Sequence, residues 1–386
     1  MKWITAIVVN IAWTVLYAGD GATTTRTSIT VNHRDSTDKH FSLASYVKAD
    51  KVLSREQFML QDLPAIILEN KMARFTLGRS QQGRLIPAWY FPGRTSRRAL
   101  VIAGVHGSEL SAIEVAYALI EKLVNGEQPY YSVIVVPSLF PDNARKAIAE
   151  PEQIGSVFNI GRYTQANSVD PNRQMPSPGK PFNEISALDH LGRKMETENQ
   201  LLLELIRDFN PARIVNIHAI RNPGYGGIYA DPRTDANGIA LGFTSDSSLA
   251  VAMARFVDAQ GGNVAGNKLD EGATALYYKD PAPAPAGFIQ KRNMAGSALN
   301  AHRGCGISLG TWASTAVRDS SDPAHNREAI RIITMEYPGC KRPGDYPVDR
   351  DAAFHQNQVG IFAGSIHQIF LQDYFTEIED SHWTKN

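Results

Sequence analysis

The apolar positions of this chain fall into two alternating rhythms. Arg98 to Val105 reads RALVIAGV and Tyr131 to Pro137 reads YSVIVVP. Both are continuous apolar runs, which predict strands buried on both faces. Between them, from Glu109 to Val124, apolar residues recur at 110, 113, 116/117, 119/120 and 123/124, and Asn125-Gly126 follows. That is helical spacing with a helix-ending signal. The pattern repeats downstream. Glu196 to Phe209 predicts an amphipathic helix and Ala212 to Ile217 (ARIVNI) a strand. Ser247 to Ala259 predicts a helix, Arg331 to Met335 a strand, and Ala352 to Leu371 a long closing helix. Strands alternating with helices predict an α/β domain with a largely parallel sheet covered by helices on both faces. Lys279 to Gly287 (KDPAPAPAG) reads as a loop of polyproline character.

The N-terminus departs from this rhythm. Lys2 precedes a nearly unbroken apolar stretch from Ile4 to Tyr17, followed by small residues at Ala18, Gly19, Gly21 and Ala22. This predicts a secretory signal peptide over 1–22, and with it a periplasmic or secreted protein without further membrane association. Residues 23–60 are rich in Thr, Ser, Asp and Lys, so 23–75 is read as a linker or N-terminal embellishment. The α/β domain is expected over 76–375, with a C-terminal tail over 376–386.

Composition excludes more than it assigns. Of 386 residues, 43% are hydrophobic and 20% charged, which excludes a disordered chain or coiled coil. The formal net charge is 0, with no long single-sign run, so no nucleic-acid partner is expected. The two cysteines, Cys305 and Cys340, invite a disulfide in an exported protein.

Candidate chemistry collects where strands end. His106-Gly-Ser-Glu109 follows the first buried strand, at the carboxyl edge where α/β sheets bind ligands. A histidine and a carboxylate three residues apart can converge on one metal, and Zn²⁺ accepts both donor types. The same HxxE spacing at His325 and Glu328 follows a polar loop, so position separates the two. His218 ends the run IVNI at another carboxyl edge. Three protein ligands with an open position is the pattern of a catalytic zinc site. Glu336, at the end of RIITMEYPG, is the candidate general base. Asn172 and Arg173 pair an amide with a guanidinium fork suited to a substrate carboxylate. Arg162 is a candidate donor to a developing oxyanion.

Taken together, TLGRSQQGRLI (76–86), VIAGVHGSE (101–109), FPDNA (140–144), GRYTQANSVDPNRQMP (161–176), VNIHA (215–219) and ITMEYP (333–338) resemble the zinc carboxypeptidases of the M14 clan. The HGxE form looks nearest to the bacterial peptidoglycan-peptide branch. Pro171, Gln174 and Met175 depart from the family's usual residues at their positions. The resemblance implies a mixed, largely parallel sheet, one zinc ion on His106, Glu109 and His218, and base/acid work by Glu336. It implies carboxylate binding by Asn172 and Arg173, oxyanion support from Arg162, and a peptide or peptidoglycan stem-peptide substrate.

Three other readings remain at this point. The HGxE form is shared with N-acyl amino acid deacylases of the aspartoacylase and succinylglutamate desuccinylase type. Gly306-Ile-Ser308-Leu-Gly310 satisfies the GxSxG pattern of a serine hydrolase elbow, although NAHRGCG before it is not strand-like. A non-catalytic binding protein on the same fold is the third.

Overall fold

The computed structural model describes residues 63–373, apart from 157–158, 165–168, 238, 240, 242, 272–304 and 322. The expected signal peptide, most of the linker, the 279–287 loop and the C-terminal tail lie outside the described residues. After a short helix α1 (Leu63–Glu69), strands β1 (Ala73–Arg79) and β2 (Leu85–Phe91) form a hairpin. Then come β3 (Arg98–Ala103), α2 (Leu110–Asn125), β4 (Ser132–Val136), α3 (Pro141–Ala149) and α4 (Thr197–Phe209). The chain continues through β5 (Arg213–Ile220), β6 (Gly227–Asp231), α5 (Phe243–Ala259), α6 (Leu309–Ala313), β7 (Arg331–Pro338) and α7 (Asp349–Ser365). Among the described residues no helix is long and apolar enough to cross a membrane.

The seven strands among the described residues make one mixed sheet in the order β1-β2-β4-β3-β5-β7-β6. Its centre, β4-β3-β5-β7, is parallel, and the outer pairings are antiparallel. Side chains on a strand alternate between faces. Here Ala99, Val101, Ala103, Val215, Ile217, Ile333 and Met335 pack on one side, against α2, α5 and α7. Leu100, Ile102, Ile134, Ile214 and Ile332 pack on the other, with α1, α4 and α6. Both faces are therefore apolar, which is why the strands read as continuous runs rather than alternating ones. Burying each of these Val, Leu, Ile and Met side chains contributes about 1.5–3 kcal/mol relative to leaving it exposed.

The two edge strands escape the periodicity. β1 buries only Phe75 along its length, and β6 is five residues long at a sheet edge. Neither carries the long apolar run that identifies the central strands. The closing helix also differs from expectation: it begins at Asp349, and Ile366–Phe370 widens into a π-turn.

Candidate metal centre

The parity of the strands places the site. On β5, Ile214 belongs to the α4 side, so Asn216 and His218 point the same way. On β7, Ile332 does likewise, so Thr334 and Glu336 follow it. The apolar layer gives out toward the carboxyl ends of these strands, and a cavity of about 300 Å³ opens there. His218 and Glu336 are register partners across the parallel pair, and both line this cavity.

His106 and Glu109 reach the same cavity from the turn between β3 and α2. Gly107 makes that turn fit: a Cβ there would lie 2.3 Å from the Ala144 backbone nitrogen. Only a glycine lets the turn lie against the start of α3. Glu109 stands at the head of α2, and its carboxylate is the hub of the site. Oε1 is 2.9 Å from His106 Nδ1 and accepts from Arg162 at 3.0 Å. Oε2 is 2.9 Å from His218 Nδ1 and accepts from the Ala219 backbone N–H at 3.1 Å. The two imidazole rings stand 5.0 Å apart between centroids. Ligand atoms of His106, Glu109 and His218 all lie within 4.8 Å of one another, and all three residues are buried. Two imidazole nitrogens and a carboxylate oxygen form a donor set suited to a single Zn²⁺.

Electrostatics binds this cluster together. Burial works against a charged imidazolium at His106, but the carboxylates of Glu109 and Asp170 outweigh it and hold the group up at about 9. Burial alone would raise Glu109, and the facing His106 and His218 instead hold it well below the usual carboxylate range. Asp170 is likewise depressed, with His106 and then Arg162 overcoming burial.

Asp170 is the residue that sequence reasoning passed over, although it heads the Asp-Pro-Asn-Arg run. Its Oδ1 lies 2.8 Å from His106 Nε2 and accepts the Asn172 backbone N–H at 2.9 Å. The signal was the carboxylate two residues before Asn172. Asn172 lines the cavity with Nδ2 3.4 Å from His218 Nε2, and its Oδ1 accepts from the Leu309 N–H at 3.0 Å. Arg173 also lines the cavity, and its guanidinium donates to the neighbouring Asn172 carbonyl at 2.7 Å. Arg162 is at the cavity wall, with its guanidinium committed to Glu109 and, at 3.5 Å, to Asp170. The structure thus brings all seven candidate residues to one cavity.

The expected disulfide is absent. Cys305 and Cys340 are both free thiols. Cys340 lies at the cavity, its thiol donating to the Ala219 carbonyl at 3.4 Å, whereas the Cys305 carbonyl is held by Arg193 at 2.9 Å. The expected disulfide therefore does not form. Nor is the GxSxG run an elbow. Ser308 caps the short α6, accepting from the Thr311 N–H at 3.1 Å, with no strand among the described residues running into it. The second HxxE pair stays apart from the metal centre: Glu328 pairs with Arg318, and neither His325 nor Glu328 lines this cavity.

No family model matches the chain, and no curated protein does either. Solved structures to which it is similar include a murein-tripeptide amidase from Escherichia coli O157, at 16% identity and TM-score 0.39, covering 76% of this chain and 92% of that one. Another is a carboxypeptidase A from Helicoverpa armigera, at 15% identity and TM-score 0.45, covering 84% of this chain and 73% of that one. A third is a metallo-carboxypeptidase from Burkholderia cenocepacia, at 16% identity and TM-score 0.38, covering 84% and 67%.

Proposed function

We propose that the chain is an exported, zinc-dependent carboxypeptidase, which hydrolyses a peptide bond next to a free carboxylate in peptides or cell-wall stem peptides. The observation that carries this reading is the convergence of His106, Glu109 and His218 in a cavity that also holds Glu336, Asn172 and Arg173. The donor set fits Zn²⁺, which when bound supplies Lewis acidity and brings the pKa of water toward neutrality.

The chain's own residues divide the remaining work. Asp170 fixes the orientation of the His106 ring, so that Nδ1 faces the metal position. Glu336 takes the proton of the attacking water on its carboxylate and delivers it to the leaving nitrogen. Asn172 and Arg173 hold the substrate carboxylate, which places the scissile carbonyl one residue inward. Arg162 secures Glu109 and Asp170 and leaves a flank of its guanidinium, 30% exposed, toward the carbonyl oxygen.

Mass spectrometry of products from a mixed peptide and muropeptide library, run with and without a chelator, tests this. Release of single carboxyl-terminal residues that stops with chelator is expected. Cleavage of N-acyl amino acids instead would assign the deacylase reading. Cleavage that survives chelation but stops with phenylmethylsulfonyl fluoride would assign a serine hydrolase.

A further inference from the structure

A separate pocket lies on the far side of α6 from the metal cavity. Ser308, just before α6, and Gly310 within it line the metal cavity, and the Leu309 N–H holds Asn172. Trp312, on the same helix, instead joins Phe182, Leu203, Ile206 and Val317 around a pocket of about 160 Å³. None of the residues lining this pocket lines the metal cavity. Its floor is fixed: Trp312, Leu203 and Ile206 belong to the buried layer on the α4 side of the sheet, and the Trp312 indole N–H donates to the Lys180 carbonyl at 3.0 Å. An apolar cavity of about 150 Å³ is enough to hold a benzene-sized molecule. This pocket therefore has room for one ring or a short branched chain.

One charged group at this apolar wall has no carboxylate partner. Arg327 lines the pocket, half-buried, with its guanidinium carbon 4.2 Å from the centre of the Trp312 ring. Its guanidinium donates to neutral carbonyls: those of Trp312 and Ala313 at 2.9 Å, Thr315 at 3.1 Å and Glu328 at 3.2 Å. The Nε–H has no acceptor among the described residues. The adjacent carboxylate is already taken, because Glu328 pairs with Arg318. Arg207, the other arginine at the pocket, is paired with Glu184 and Asp208. No Asp or Glu is among the described residues that line the pocket. Burial pulls the Arg327 guanidinium down to about 9, which still leaves it charged at neutral pH.

A cation in apolar surroundings, met only by carbonyl dipoles, gains from a carboxylate brought beside it. Ligand pockets are commonly apolar with one or two polar groups that fix orientation. From this we infer that the pocket is a binding site for a small monocarboxylate with an apolar body, of the aryl-alkanoic acid type. Its carboxylate meets Arg327 and its ring lies against Trp312, Leu203 and Ile206. The same chemistry disfavours a free amino acid, because no carboxylate lines the pocket to receive the ammonium. The assignment does not depend on the carboxypeptidase reading, which places its substrate carboxylate at Asn172 and Arg173 in the other cavity.

The test titrates the full chain, loaded with zinc, with 3-phenylpropionate, 3-phenylpropanol and L-phenylalanine, which share one carbon skeleton. Binding is read at this pocket from the indole N–H resonance of Trp312, identified by its loss in Trp312→Phe. The acid is expected to shift that resonance and to bind about 10–150-fold tighter than the alcohol, the range of one charge-assisted hydrogen bond. Phenylalanine should bind more weakly than the acid. Ala324→Phe, at the exposed rim of the pocket, should fill it and abolish the shift. Arg173→Ala, in the metal cavity, should leave the titration unchanged. Arg327→Met should remove the preference for the acid; if that variant does not fold, the wild-type comparison of acid and alcohol decides alone. A Trp312 resonance that the acid does not move overturns the inference. So does equal affinity for acid and alcohol, phenylalanine binding as tightly as the acid, a shift that persists in Ala324→Phe, or one that is lost in Arg173→Ala.

Discussion

Asp170 Oδ1 lies 2.8 Å from Nε2 of His106, while Nδ1 of the same ring lies 2.9 Å from Glu109. One carboxylate therefore holds the outer nitrogen and turns the inner one toward the metal position. Such a partner fixes both the tautomer and the direction of the ring. Asp170→Asn keeps the shape and removes the charge. Its zinc affinity should fall about 10–100-fold, read by competition with a chromogenic chelator. Affinity equal to the wild type would mean that Asp170 does not orient the ligand.

Glu336 sits beside His218 in register but is not one of the three converging ligands. Glu336→Gln should keep its zinc and lose about 10²–10⁴-fold in turnover, the usual contribution of general acid–base catalysis. Metal content and single-turnover rates, measured on the same preparation, separate the roles. Loss of zinc in this variant would make Glu336 a ligand, and a near-normal rate would remove it as the base.

Arg173 is the group expected to choose the carboxyl end. Arg173→Ala should reduce kcat/KM by about 10–150-fold on peptides with a free C-terminus, with zinc retained. Lysine should restore only part of this, because it lacks the planar fork. The check is a pair of peptides that differ only in C-terminal amidation. Equal hydrolysis of the two by the wild type would show that no terminal carboxylate is being read.

Away from the metal, Glu198 at the start of α4 offers a stability test. It is 3% exposed, and its Oε1 accepts from the Gln81 backbone N–H at 3.1 Å. Burial pushes its carboxyl up to about 7, against that backbone bond and with the charges of Asp142 and Glu196 adding to the rise. An unfolded glutamate titrates near about 4.3. Between those two values the folded state binds more protons than the unfolded one, so stability declines as pH rises through the window. Glu198→Gln cannot titrate and should remove this decline. Relative to wild type it should gain about 1–3 kcal/mol on going from pH 4 to pH 8, read from urea midpoints. A difference between the two proteins that stays constant across that range would refute the burial argument.

The central strands and the helices between them were legible because a strand covered on both faces must be apolar at nearly every position. Leu100 and Val101, Ile134 and Val135, and Ile332 and Ile333 each supply both layers of the core at once. For the same reason the metal ligands could be picked out: His106, Glu109 and His218 interrupt or follow those runs at carboxyl ends. What local pattern could not carry is pairing between distant segments. The edge strands β1 and β6 draw their order from neighbours rather than from an apolar run of their own. Asp170 acquires its meaning only when a loop 64 residues away brings it to His106. Asp231 faces the cavity because β6 adds antiparallel to β7, which sets its parity with Thr334. Cys305 and Cys340 stay free thiols, because a disulfide needs two segments to meet at a specific geometry, which the presence of two cysteines in a sequence does not ensure. Periodicity records what one strand or helix must bury, whereas a site is built from side chains whose proximity only the register of the assembled sheet decides.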